Sequence, residues 1–139
     1  MSDIEQELAE HIAGDLVQKI NAVAQDDFFK YHLHRTDDSG NSLGFLSAIA
    51  FALGALTTTD ARRYVVVISS SPSTQTSATV STVLVVGSDD AKVKLVGDGL
   101  KTKLGVKGGG KGPRWSGKFT GVWKASRENG TVDDVLAGL

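Results

Sequence analysis

Cysteine is absent from the 139-residue chain, which excludes disulfides, thiolate metal sites and a cysteine nucleophile. Also lacking is an apolar run near the ~18 residues of a membrane span. The longest, Leu43–Leu56, is interrupted by Gly44 and Ser47, so no membrane partner is expected. No segment carries the Walker pattern of glycine, four residues, then Gly-Lys-Ser/Thr, which rejects an NTPase. Ser69-Ser-Ser71 and Ser116 have no His and Asp arranged beside them in the sequence, which sets aside a serine nucleophile. The formal net charge is nearly nil, at -1.

That small net charge conceals a division. Acidic residues gather early, from Asp3, Glu5, Glu7 and Glu10 to Asp60, whereas Lys92 to Arg127 holds ten cations opposed only by Asp98. Such asymmetry gives one surface to a polyanion and leaves another for solvent or a protein neighbour. With 40% hydrophobic and 22% charged residues, the chain has the composition of a globular protein and the length of one domain. We expect residues 1–25 to form a helical arm and residues 26–139 an α/β body. The first residues are acidic and amphipathic, unlike a signal or transit peptide, and the expected location is the cytoplasm.

Ile4, Leu8, Ile12, Leu16, Ile20 and Val23 recur at spacings of four and three, predicting an amphipathic helix over Ser2–Gln25 with Ser2 as N-cap. Phe28–His34 alternates as a strand does, and Asp37–Asn41 reads as a turn. Ser42 is placed to cap a helix that is greasy on most of its circumference and therefore buried against a sheet. Tyr64–Ile68 and Thr82–Val86 are continuous apolar runs suited to strands covered on both faces. Between them Ser69–Ser81 is expected to be an exposed loop. Ser88 is read as the cap of a helix over Asp89–Leu104 that turns Leu95, Val96, Leu100 and Leu104 inward, with Gly105 at its C′ position. A last short strand is expected over Lys118–Trp123, then a helix capped by Thr131. Strands alternating with helices predict an α/β fold, a single sheet flanked by helices behind a long N-terminal helix.

The chemistry concentrates in Lys107-Gly-Gly-Gly-Lys-Gly-Pro-Arg-Trp-Ser-Gly-Lys118. Three adjacent glycines permit left-handed dihedrals and leave N–H groups uncovered, and successive bare N–H groups form a nest for a phosphate oxygen. Lys107, Lys111, Arg114 and Lys118 surround Gly108, Gly109, Gly110 and Gly112 with charge, and Trp115, placed near the surface, offers a face for a base or ribose. Trp123 is expected inside. RNA is the expected ligand, gripped by a Gly-rich loop over residues 107–118.

This segment, with Val83-Leu-Val-Val-Gly-Ser-Asp89 and the helix after it, resembles the C-terminal domain of alanyl-tRNA synthetase and of the AlaX-type editing proteins, the DHH-associated domain. Arg-Trp-Ser-Gly-Lys is closer to the AlaX-type branch. The resemblance implies a sheet backed by helices, tethered by a helical arm to an editing or synthetase body. It further implies a grip on tRNA, tRNA-Ala first, with Gly108, Gly109, Gly110, Lys111, Arg114 and Lys118 as gripping residues. The zinc site of AlaX-type editing, built from His and Cys, has no counterpart, because the only histidines are His11, His32 and His34. His32 and His34 share a strand face, which reads as half-exposed strand residues in preference to a metal pair. No enzyme activity, metal or cofactor is expected. The alternatives are a protein-interaction or homodimerisation module acting through the N-terminal helix, and a DNA-binding accessory domain related to DHH phosphoesterases.

Overall fold

A computed structural model of the chain describes residues 3–23, 27–38, 42–57 and 63–139. Helix α1 (Asp3–Ala22) is followed by strand β1 (Phe28–Thr36), helix α2 (Ser42–Thr57) and strand β2 (Arg63–Ser71). Next come β3 (Val80–Gly87), α3 (Asp90–Leu104), β4 (Lys107–Lys111) and β5 (Arg114–Thr120). A π-helical turn (Ala125–Asn129) runs directly into α4 (Gly130–Ala137). The strands form one mixed sheet in the order β1-β2-β3-β5-β4. β1 is parallel to β2 and the other neighbours are antiparallel; a parallel pair needs a crossover, which α2 supplies. This is the α/β architecture that the alternation of strand and helix signals predicts.

The two apolar runs sit at the centre, for the reason their patterning gives. Val66, Ile68, Leu84 and Val86 pack under α1 and α2, whereas Val65, Val67, Val83 and Val85 pack under α3 and α4. A strand buried on both faces has no polar side to show, hence no alternation. From α1 the core takes Ala9, Ile12, Ala13, Leu16 and Ile20, leaving Ile4 and Leu8 of the stripe exposed. Burying Ile12, Leu16 and Ile20 contributes roughly 1.5–3 kcal/mol each. The expected cap at Ser2, the helix end at Gln25 and part of the turn before α2 lie outside the described residues.

Several local expectations are corrected. Asp89, not Ser88, caps α3, its Oδ1 accepting from the N–H groups of Ala91 and Lys92. Ser88 instead bridges to Tyr64, accepting from its N–H at 2.9 Å. Leu95 is 58% exposed, and α3 buries Val93, Val96, Gly97 and Leu100. The C-terminal glycine holds, since Gly105 has φ 71°, its N–H donates to the Lys101 carbonyl and that of Val106 donates to Leu100. Ser69–Ser71 belong to β2 and Val80–Ser81 to β3, so the connecting loop is shorter than expected. Thr131 caps nothing; its hydroxyl donates back to the carbonyl of Arg127 one turn earlier.

Candidate nucleic-acid interface

Residues 107–118 are not a free loop. They form a hairpin of β4 and β5 joined by Gly112-Pro113, with Lys111 opposite Arg114 and Lys107 opposite Lys118. A two-residue turn favours positive φ at its first corner, and Gly112 has φ 67°. The other positive-φ glycines are Gly105 and Gly121, so Gly108–Gly110 lie outside the left-handed region and build no nest. Their glycine identity has another cause. A Cβ on Gly108 would stand 2.1 Å from the Ser116 carbonyl oxygen, and one on Gly110 would stand 2.2 Å from that of Arg114. Only bare backbone can approach β5 so closely. Gly109 is different, because a Cβ there would meet nothing within 4 Å.

Side chains of a strand alternate between its faces, and the register sorts the candidate residues accordingly. Trp115 faces α3 with its indole against Gly97, where a Cβ would be 2.6 Å from the ring. It is 4% exposed, so the expectation of a surface Trp115 that stacks on a ligand is overturned. Lys107, Gly109 and Lys111 of β4 share the opposite face with Arg114, Ser116 and Lys118 of β5. Thus the four cations come together as two cross-strand rungs, Lys107 with Lys118 and Lys111 with Arg114, on either side of Gly109 and Ser116. The two rungs are about 13 Å apart along the strand at ~3.3 Å per residue.

Like charges directly opposite each other destabilise a sheet. Among the described residues none of the four cations has a salt-bridged carboxylate. β4 is the edge of the sheet. In a ladder closed by a two-residue turn the pairs alternate, so Gly108 and Gly110 direct their amides to the open edge and Gly109 directs its own to β5.

Two clefts border the hairpin. On the cationic face, one of about 280 Å³ has Leu43 and Ser47 of α2 as one wall and Gly109, Lys111, Arg114 and Ser116 as floor and far side. On the other face, one of about 400 Å³ lies between α3 and the glycines, with Asp90 and Asp98 beside Lys94 and Lys101. The α2 wall lies outside the residues expected from the sequence to form the site. Its signal was Ser47, a polar residue in a helix otherwise taken as buried nearly all round, and the exposed Leu43, Phe51 and Leu56 correct that expectation.

A second polar cluster lies across the sheet. Ser69 Oγ is 2.7 Å from His32 Nε2 and 2.7 Å from His34 Nδ1, so its one proton goes to one ring while it accepts from the other. The His34 ring stacks on Trp123 at 4.9 Å and 4°. Burial, with a smaller contribution from His34, pushes the His32 pKa down to about 4, and burial lowers that of His34 too. Trp123, inside as expected, is held by Gln75, which accepts from its N–H at 2.7 Å and donates to its carbonyl at 3.1 Å. Its indole N–H donates to Asn129. Ser69 is 0% exposed, out of reach of any substrate. Among the described residues no third metal-ligating side chain joins the two histidines.

No protein-family model matches the chain, and no curated protein matches it. Among the described residues no helix is long and apolar enough to cross a membrane.

Proposed function

We propose that the chain is a non-catalytic RNA-binding module that holds tRNA by its phosphates on the cationic face of the β4–β5 hairpin. The observation that carries this reading is the pair of like-charge rungs, Lys107 with Lys118 and Lys111 with Arg114. Folding alone disfavours that arrangement, and a polyanion relieves it. Gly109 and Ser116 between the rungs keep the floor low, so a backbone can lie against it. The open-edge amides of Gly108 and Gly110 add neutral donors for phosphate oxygens. The grip is therefore a flat shelf of charge beside bare backbone, in place of a closed nest. The resemblance to the alanyl-tRNA synthetase and AlaX-type C-terminal domain supports tRNA as the polyanion, and tRNA-Ala is the first species to try.

Anisotropy titration of labelled tRNA between 50 and 200 mM salt tests the reading. If each of the four cations neutralises one phosphate, log K falls against log salt with a slope of about −3. Removing one rung (Lys107→Gln with Lys118→Gln) lowers that slope by about 1.4 and leaves the fold intact. Absence of binding at low salt, or binding indifferent to salt, removes the proposal. Equal competition by duplex DNA shifts it to the DNA-binding alternative.

A further inference from the structure

Helix α2 has no charged residue from Ser42 to Thr57, yet Phe51 within it is 70% exposed. The buried residues Phe45, Leu46, Ile49, Ala50, Ala52 and Leu53 take the opposite side of the helix. Leu43 and Ser47 wall the cleft whose floor and far side are Gly109, Ser116, Lys111 and Arg114. Residues four apart on a helix are neighbours, so Phe51 stands one turn beyond Ser47 on the same side of α2, outside the residues that line the cleft. Trp115, the aromatic in the glycine-rich segment itself, is turned away under α3. Among the described residues Phe51 is the one exposed phenylalanine, tyrosine or tryptophan, and it belongs to the helix that walls the cleft.

We propose that Phe51 is the stacking platform of the RNA site, taking the face of an unpaired base while Lys111 and Arg114 hold the adjoining phosphate. This rests on the RNA reading above and narrows it, because only a loop, bulge or free end has a base open to stack. Each base has a π face, so the contact adds affinity without choosing a sequence. Charge complementarity favours this occupant. An apolar protein partner would leave four neighbouring cations unanswered, whereas a nucleotide chain answers them and brings a flat apolar group on the same backbone.

The test compares wild type with Phe51→Ala, Phe51→Leu and Phe51→Trp on two probes, a single-stranded RNA 12-mer and inorganic polyphosphate, which has the charge but no bases. The expected result is a loss of at least about fivefold for Phe51→Ala on the RNA, the low end of one stacked base. Polyphosphate affinity and the salt slope should stay unchanged, and Phe51→Trp should bind as wild type while Phe51→Leu does not. Full affinity in the Leu variant would mean simple apolar contact and would overturn the inference. So would an equal loss on polyphosphate, or self-association abolished by Phe51→Ala with RNA affinity intact. If wild type binds neither probe, the RNA reading itself fails; if it binds both and Phe51→Ala changes nothing, only the stacking role does.

Discussion

Acid should weaken this fold well before its carboxylates titrate. His32 has its pKa pushed from 6.5 to about 4 by burial and by His34, and His34 is displaced in the same direction. Above about pH 6.5 both rings are neutral whether the chain is folded or not, and their contribution is fully present. As pH falls the unfolded chain takes protons that the folded chain refuses, and stability is lost down to the folded value. For His32 the whole interval from 6.5 to about 4 is worth about 3 kcal/mol. About 2 kcal/mol of that is lost between pH 7 and pH 5. At an m-value of roughly 2 kcal/mol/M, the urea midpoint followed by circular dichroism should fall by about 1 M over that range. Asp38, lowered by its hydrogen bonds from Ser73, and Glu128, lowered by Arg127, start from 3.8 and 4.5. Their losses fall mostly below pH 5 and add little to the measurement. His32→Gln keeps a side chain able to bond Ser69 and should be less stable at pH 7.5 but flatter with pH. A wild-type midpoint that moves by less than about 0.2 M, or a variant as steep as wild type, would refute the reasoning.

The three glycines should separate in thermal melts. Gly108→Ala and Gly110→Ala each force a Cβ against β5 backbone and should cost about 1–3 kcal/mol, whereas Gly109→Ala should stay within about 0.5 kcal/mol. Gly97→Val drives the Trp115 indole from its seat and should lower the melting temperature while shifting tryptophan emission to longer wavelength. Gln75→Ala strips the Trp123 backbone of both partners and should cost about 1–3 kcal/mol. No change there would mean that water replaces the amide.

What the sequence made legible were the signals with a long period or a strong one. The stripe from Ile4 to Val23 and the valine runs of β2 and β3 announce a helix and two central strands, although Ile4 and Leu8 stay exposed, and Gly105 marks the end of α3. β4 was hidden because glycine has neither strand propensity nor a periodic side chain; its partner and its turn make it a strand. Its companion was less hidden. Arg114, Ser116, Lys118 and Thr120 alternate with Trp115, Gly117 and Phe119, a polar face against an apolar one, and a strand begun at Lys118 cuts that pattern in half. With the alternation restored, Trp115 falls inside. Ser69, Ser70 and Ser71 read as loop because they are polar, yet Ser69 is satisfied by two histidines and Ser71 by Ser81. Such pairings are long-range and leave no local trace. Phe51 was visible on the helical wheel opposite Phe45 and Ile49, but only the cleft beside Ser47 gives that position a meaning.

The sheet keeps its two apolar clusters on opposite sides, with no side chain in common. The α1–α2 layer is therefore fastened to the sheet through one set of contacts, and the tryptophans belong to the other. A molecule lodged between α2 and the hairpin touches that layer and the sheet's margin together. It would act as a splint, adding a second tie between that layer and the edge of the sheet.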